Sequence, residues 1–225
     1  IKAALDQNQP VLIKFTADWC FSCQVVEKTV YSKKDIADLI RANNDPFYPR
    51  FWRERIENFP RYGKSKGIFL CDMGELFAEW IPRWWQNAVF SLIRECPWHR
   101  FYLLTKQPQN LIKFSPFPEN CWVGVTATNN LAFHEALHYL AEIEANVKYL
   151  SLEPLLSEVV MNQGKVKRLE VIDWLIIGCQ TKPIKLPGKA WVDEIVSAAD
   201  RVGIPVFIKP PLSDAMNLRR EEVPG

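Results

Sequence analysis

The chain has 225 residues, and its 48% of hydrophobic residues exclude a disordered protein and are enough for a sizeable core. Its 28 basic and 26 acidic residues give a net charge of +2, which offers no general reason to expect nucleic acid or a membrane surface as partner. Six cysteines are too few for the disulfide framework of a small secreted protein. No apolar run is long enough for a membrane span, so we expect none.

A strand-like run followed by two cysteines opens the chain. Residues 11–15 are typical of a buried strand, and residues 20–30 have the composition of a helix that begins at or near Cys20. A thiol in the first turn of a helix lies at the positive end of the helix dipole, which stabilises the thiolate and lowers the pKa. We therefore predict that Cys20 attacks a disulfide and that Cys23, one turn later, resolves the mixed disulfide.

A second helical run covers residues 34–42 and is broken by Asn-Asn-Asp-Pro at residues 43–46. This break predicts a boundary between a segment of residues 1–44 and a domain of residues 45–225. From residue 68 onward, short apolar strands alternate with amphipathic helices, and the strand at residues 11–15 brings the number of strands to seven. Such alternation predicts an α/β fold with a mainly parallel sheet, either doubly wound or curled into a partial TIM-like barrel.

The boundaries of these elements follow from the apolar periodicity. The strands predicted after the break are residues 68–71, 101–104, 122–125, 147–152, 174–177 and 206–208. The helices predicted between them are residues 82–94, 108–114, 129–144 and 191–202.

Polar side chains follow most of these strands, at the end where parallel sheets bind ligands. The candidate residues of such a strand-end site are Trp19, Asp72, Glu75, Lys106, Thr126, Glu153, Gln180 and Lys209. Burying the carboxylate of Glu153 beside an apolar strand is costly without a partner. Two interpretations stay open for Glu153, namely a salt bridge to Lys106 or Lys209 and a role in ligand binding or catalysis.

The other four cysteines stand alone in or beside apolar runs, where a free cysteine behaves as a small hydrophobic residue. We predict that they are buried in the core. They are Cys71, Cys96, Cys121 and Cys179.

One short motif is typical of zinc enzymes. His134, Glu135 and His138 match H-E-x-x-H, in which two histidines one helical turn apart bind zinc and the glutamate acts as base. The apolar stripe of this helix places both histidines mostly on its polar flank, and no third ligand is evident. We predict no metal site, and these residues are the candidates for the minor alternative of a zinc hydrolase.

The sequence Phe-Thr-Ala-Asp-Trp-Cys-Phe-Ser-Cys at residues 15–23, followed by Glu27 and Lys28, resembles the start of a thioredoxin-like domain. The closest likeness is to the C-terminal domain of membrane thiol–disulfide interchange proteins, and it covers residues 1–42. The resemblance implies thiol–disulfide exchange with a protein or a small thiol as substrate. It also implies a periplasmic location and no cofactor beyond the dithiol.

Residues 45–225 resemble the uncharacterised phage gp thirty-seven/gp sixty-eight family. The likeness is carried by stretches such as residues 68–77, 150–156 and 203–209. That family looks like a radical-SAM-type partial barrel whose iron–sulfur cluster is held by three cysteines after the first strand, and the resemblance implies a cytoplasmic protein. The cysteine triplet is absent here, and Cys20 and Cys23 alone cannot hold such a cluster.

Two functions of different classes follow from these resemblances. The first is thiol–disulfide exchange through Cys20 and Cys23. The second is a radical-SAM-like barrel of unknown substrate that lacks its cluster cysteines and acts as a binding module. A cluster and S-adenosylmethionine are expected only if this second interpretation holds and further ligands, such as Cys71, complete the set.

Overall fold

The computed structural model describes residues 51–71 and 74–225, except for the side chain of Lys165. The predicted segment of residues 1–44, with its strand, its redox helix and both cysteines of the C-x-x-C motif, lies outside the described residues. The predictions made for that segment, including the boundary at residue 44, therefore stay predictions.

The described chain forms short strands that alternate with helices, as the apolar periodicity predicts. The strands are β1 (Gly67–Phe69), β2 (Arg100–Thr105), β3 (Cys121–Thr126), β4 (Val147–Leu152), β5 (Trp174–Ile177), β6 (Gln180–Thr181), β7 (Ile184–Lys185) and β8 (Val206–Ile208). The α-helices are α1 (Arg53–Glu57), α2 (Arg83–Glu95), α3 (Asn130–Ala141), α4 (Gln163–Arg168), α5 (Lys189–Val202) and α6 (Leu212–Met216). The helix predicted at residues 108–114 is a 3₁₀ helix, Pro108–Phe114, and a second one covers Leu169–Val171.

Six strands form one parallel sheet in the order β1-β2-β3-β4-β5-β8, while β6 and β7 form a small antiparallel hairpin. The strands of the large sheet stand side by side in the order in which they occur along the chain. Each new strand is therefore added on the same side, and the chain winds in one direction only. A doubly wound sheet would reverse direction at a switch point. The sheet curls into a half-barrel, which confirms the predicted α/β class and the partial barrel.

The outer face of the sheet is covered by helices. Side chains such as Val123, Leu150 and Ile177 point to this face and pack with Leu137 of α3 and Ile195 of α5 in the main hydrophobic core. These side chains alternate along each strand with those of the other face, as pleating requires. These side chains and the apolar side chains of the other face together give the near-continuous apolar runs that predict a parallel sheet.

The inner face of the sheet carries a separate aromatic cluster in its amino-terminal half. Trp122, Tyr149 and Trp174 are buried there, with Trp122 and Trp174 edge to face at 5.7 Å between ring centroids. Tyr102 and Phe207 pack against this cluster from the neighbouring strands. The rings fill the inner face at this level, much as side-chain layers fill a complete barrel.

Gly124 of β3 makes room for the largest of these fully buried side chains. A Cβ atom at this position would lie 2.3 Å from two ring carbons of Tyr149 on the adjacent strand β4. The Tyr149 hydroxyl donates a hydrogen bond of 3.0 Å to the carbonyl oxygen of Leu103, and burial raises its pKa. The ring is therefore fixed across three strands by the close contact of its Cε2 and Cζ atoms with Gly124 and by the hydrogen bond of its hydroxyl.

The C-terminal residues cover the outer edge of β8. The Ile208 amide donates to the Arg220 carbonyl at 2.8 Å, and the Glu222 amide donates to the Val206 carbonyl at 3.1 Å. The guanidinium of Arg220 bonds both Glu222 and Asp200, and these hydrogen bonds lower the pKa of the two carboxyl groups. This edge of the sheet is thus closed by backbone pairing and held by an ionic cluster.

Across residues 51–71 and 74–225, we find no helix with the length and apolar character that a bilayer crossing requires.

We predict that Gly124→Ala destabilises the fold by roughly 1–3 kcal/mol, because the added methyl group must displace the buried ring of Tyr149. Urea unfolding monitored by tryptophan fluorescence measures the change. Gly164→Ala is the matched control, since its nearest neighbour, the side-chain oxygen of Asn162, would lie 3.6 Å from the new Cβ. Equal stability of the two variants would contradict the close contact.

Candidate ligand site at the carboxyl edge

The carboxyl ends of the six parallel strands meet at one edge of the half-barrel, which we call the carboxyl edge. Polar side chains lie on the inner face at this edge, whereas aromatic rings cover the inner face in the amino-terminal half. Thr126 ends β3, and Ser151 stands opposite it on β4. The alternation of side chains along the strands puts Lys106, Glu153 and Lys209 on the same face.

Thr126 and Ser151 are buried polar residues, with 9% and 2% of their surfaces exposed. Neither hydroxyl forms a hydrogen bond within the part of the chain that the structure describes, and neither oxygen is among the fully buried polar atoms without a partner. Each hydroxyl therefore keeps some contact with solvent although its residue is buried. Two adjacent hydroxyls at the ligand-binding end of a parallel sheet mark a place where a bound molecule can supply hydrogen-bond partners.

Glu153 and Lys209 form an ion pair of 2.8 Å beside these hydroxyls. Of the two partners predicted for Glu153, Lys209 is the one in contact with it. The Glu153 side chain is 22% exposed and lies against Gly178, where a Cβ would come within 2.8 Å of its Cγ atom. Gly178 thus allows the carboxyl group to turn over the end of β5, while the ammonium of Lys209 offsets part of the cost of its burial.

Glu75 is the second carboxylate at this edge, and its oxygens are fully engaged. It accepts hydrogen bonds from the Thr105 hydroxyl at 2.7 Å, from the Lys106 amide at 2.8 Å and from the Phe77 amide at 3.2 Å. These contacts join the loop after β1 to the end of β2. Glu75 therefore holds the local backbone in place, and its neighbour Lys106 carries the nearest ammonium.

The Lys106 ammonium is partly desolvated at the carboxyl edge. This desolvation lowers its pKa, and the nearby Glu75 carboxylate opposes the shift. The residue as a whole is exposed, so its ammonium can donate a hydrogen bond to a molecule at this edge.

The remaining predicted residues are not brought into this group by the described structure. Gln180 lies in β6, and its amide donates to the Pro183 carbonyl at 3.1 Å within the β6–β7 hairpin. Trp19, Cys20, Cys23 and Asp72 lie outside the described residues.

The described cysteines are of two kinds. Cys96, Cys121 and Cys179 are buried as predicted, and burial raises the pKa of all three thiols, that of Cys121 to about 12. Cys71 is exposed, which corrects the prediction that it lies in the core, because β1 ends two residues earlier and Cys71 stands in a turn with a φ of 55°. An iron–sulfur cubane needs three thiolates, and the set considered for it combines Cys71 with Cys20 and Cys23. Because Cys20 and Cys23 lie outside the described residues, the cluster stays a prediction from sequence.

The H-E-x-x-H motif lies on α3 with its apolar stripe buried in the core, as predicted. His134 is not arranged as a zinc ligand, since its Nδ1 atom is 3.3 Å from a guanidinium nitrogen of Arg168. No group of three potential ligands that could hold a metal ion occurs within the described ranges. His138 is exposed and contacts Tyr139 beside it.

The sequence matches a known protein family. The family described as "Protein of unknown function (DUF5131)" matches residues 15–211, which is most of the chain. The chain belongs to the DUF5131 family. The match of this DUF5131 protein includes Cys20 and Cys23 as well as the half-barrel, and it runs across the boundary predicted at residue 44. The resemblance of residues 45–225 to a phage family stays a prediction, since the match names no phage protein.

One curated relative of this DUF5131 protein is the "Thiol:disulfide interchange protein TxlA homolog" of Synechocystis sp. (strain ATCC 27184 / PCC 6803 / Kazusa). The two are 30% identical over 85 residues, which is 35% of this chain and 44% of the relative. The chain thus spans less than half of the relative's length. No solved structure matches the chain.

Sequence reasoning missed Ser151, although the chain carries the information needed to find it. The alternation of side chains along β4 puts Ser151 on the same face as Glu153, and a parallel register then sets it beside Thr126. The missing step was the register between β3 and β4. It depends on which side chain stands opposite Gly124, and the spacing of apolar residues does not define that position.

We predict that Glu153 and Lys209 are energetically coupled by about 0.5–1 kcal/mol, because the pair is only partly exposed. A double-mutant cycle with Glu153→Gln and Lys209→Met, followed by urea unfolding at neutral pH, measures this coupling. The exposed pair of Lys189 and Asp193 on α5 is the control, with an expected coupling nearer 0.3 kcal/mol. A coupling at Glu153 no larger than that of the control would show that the pair is solvated.

Proposed function

We propose that this DUF5131 protein is a half-barrel binding protein whose carboxyl edge takes a small polar ligand. The observation that carries the proposal is the pair of hydroxyls of Thr126 and Ser151, which stand side by side on adjacent strands without a hydrogen-bond partner among the described residues. In parallel α/β proteins, ligands generally bind at the carboxyl ends of the strands. The two hydroxyls lie at that end of the sheet. This function corresponds to the binding-module interpretation of the sequence.

The residues around the hydroxyls define what the ligand must offer. Thr126 and Ser151 can each donate and accept a hydrogen bond, Lys106 donates, and Glu153 with Lys209 supplies an acceptor beside a donor. Half-buried Leu104 and Ile176 lie in the aromatic cluster just below them. A molecule with several hydroxyl, amide or carboxylate groups and a small apolar portion satisfies this arrangement.

Thermal unfolding with a panel of nucleotides, amino acids and sugar phosphates tests the proposal. At least one compound is expected to raise the Tm, because a ligand that binds only the folded state stabilises it by about 2.7 kcal/mol at 100 times its Kd. Thr126→Val combined with Ser151→Ala should weaken that compound's binding about tenfold or more, since two hydrogen bonds are lost.

Ser197→Ala is the control variant, because Ser197 is exposed on α5, away from the carboxyl edge. It should bind like the parent protein. The proposal is contradicted if no compound of the panel changes the Tm, or if the Thr126→Val and Ser151→Ala substitutions leave the binding of every active compound unchanged.

A second candidate function is thiol–disulfide exchange through Cys20 and Cys23, and the named relative favours it. In this reaction the Cys20 thiolate attacks a substrate disulfide and releases one substrate thiolate. The Cys23 thiolate then attacks the Cys20 sulfur, releases the second substrate thiolate and leaves a Cys20–Cys23 disulfide. Two electrons pass to the substrate, which is a protein disulfide or a small disulfide. A periplasmic site suits this chemistry and a cytoplasmic site suits the barrel alternative.

The rate of Cys20 alkylation against pH tests the dithiol. We expect the midpoint of the profile to lie below about 8.5, the pKa of an ordinary cysteine, because a helix N-terminus stabilises the thiolate. Cys23→Ser should trap a mixed disulfide with oxidised glutathione, and Cys71→Ser, which removes an exposed cysteine outside the motif, should reduce glutathione disulfide like the parent. If the midpoint of the Cys20 alkylation profile lies at or above the pKa of free cysteine, the proposal that Cys20 is the attacking thiolate is contradicted.

A further inference from the structure

A second functional surface lies at the opposite end of the half-barrel, where the strands begin. We call it the amino-edge platform and define it by Tyr62, Lys64, Lys66, Trp98 and Arg100. The rings of Tyr62 and Trp98 are stacked with 5.9 Å between centroids and 16° between planes. Tyr62 is 86% exposed and Trp98 is 37% exposed, so the Tyr62 ring is the one that faces solvent. An exposed aromatic ring held in a stack offers a surface on which another flat ring can pack.

The platform is held in one geometry by a buried histidine. The Lys66 amide donates to Nδ1 of His99 at 3.2 Å, so Nε2 carries the ring proton and donates to the Pro60 carbonyl at 3.2 Å. The Ser65 hydroxyl donates to the Trp98 carbonyl at 2.6 Å, and the Arg100 amide donates to the Lys66 carbonyl at 2.9 Å. These bonds tie the loop of residues 61–66 to the start of β2 and preorganise the surface.

Three cations belong to the platform. The guanidinium of Arg100 lies 4.0 Å from the ring centroid of Trp122, and Lys64 and Lys66 are exposed on the loop. Within the described residues, none of the three side chains forms a salt bridge or donates a hydrogen bond. A guanidinium held over an aromatic ring with its N–H groups unused is suited to a phosphate group.

An open depression of about 430 Å³ lies beside the platform, and Ser65, Trp98 and Arg100 are among the residues that line it. Glu119 and Asp173 also line it and would repel an anion there. An anionic group is therefore directed toward Arg100 and the lysine loop, next to the stacked rings. The small net charge of the whole chain does not reveal this local separation of charge.

We infer that the amino-edge platform binds single-stranded nucleic acid. Bases stack on the exposed face of the Tyr62–Trp98 pair, and Lys64, Lys66 and Arg100 contact the phosphates. Aromatic stacking beside a basic track is the usual basis of binding to single strands without sequence preference. This inference goes beyond the proposed ligand site and is independent of it, because the two surfaces lie at opposite ends of the strands.

Fluorescence anisotropy with a labelled oligodeoxythymidine of about 12 nucleotides, in about 50 mM salt, tests the inference. Tyr62→Ala should weaken binding about tenfold, in line with the loss of one stacked base. Because Tyr62 is almost fully exposed, this variant should keep the stability of the parent, which urea unfolding verifies. Replacing Lys182 and Lys185 of the β6–β7 hairpin by glutamine removes two exposed lysines from the other end of the molecule and should leave binding unchanged.

The salt dependence separates this site from general charge attraction. Lys64→Gln and Lys66→Gln together should reduce the slope of log K against log salt concentration by about 1.4, which is 0.7 for each phosphate contact with a single strand. The inference is overturned if the oligonucleotide does not bind, or if duplex DNA of the same length binds as tightly. It is also overturned if Tyr62→Ala and the lysine substitutions at the platform have no more effect than those at the hairpin.

Discussion

The contact between Tyr149 and Gly124 determines how the inner face of this half-barrel is used. A side chain larger than hydrogen at Gly124 would occupy the space of the Tyr149 ring, and the hydroxyl of that ring is tied to the Leu103 carbonyl on the next strand but one. Burial raises the pKa of Tyr149, so its hydroxyl keeps the proton that it donates. The ring thus covers the middle of the inner face from β2 to β4.

This closure divides the face into two halves with different chemistry. Below the ring, Trp122 and Trp174 occupy the inner face of the amino-terminal half with their side chains. Above it, Thr126 and Ser151 remain unpaired beside the ion pair of Glu153 and Lys209, and this is the half that can take a small molecule. The aromatic layer also contacts the amino-edge platform, because the guanidinium of Arg100 packs on the ring of Trp122.

Much of this architecture could be predicted from the sequence, because strands that are buried on both faces give apolar runs and helices between them give a different period. The α/β class with a mainly parallel sheet follows from such patterns, and the patterns limited the salt-bridge partner of Glu153 to Lys106 or Lys209. Patterns could not supply the register that sets Ser151 beside Thr126, nor the turn that exposes Cys71. They also did not define the amino-edge platform, since the loop of residues 61–66 and the start of β2 come together only through the parallel pairing of β1 with β2. The dithiol of Cys20 and Cys23 stays a prediction from sequence.

The proton NMR shifts of Gly124 test the central contact most directly. The Cβ position of Gly124 lies above the Tyr149 ring, close to three of its carbons, so an α-proton of the glycine should be shifted upfield by the ring current. The account predicts such a shift, and its loss in Tyr149→Leu. Gly124 α-protons at ordinary glycine positions that do not respond to this substitution would contradict the closure of the inner face, and with it the division that places the ligand site at the carboxyl edge.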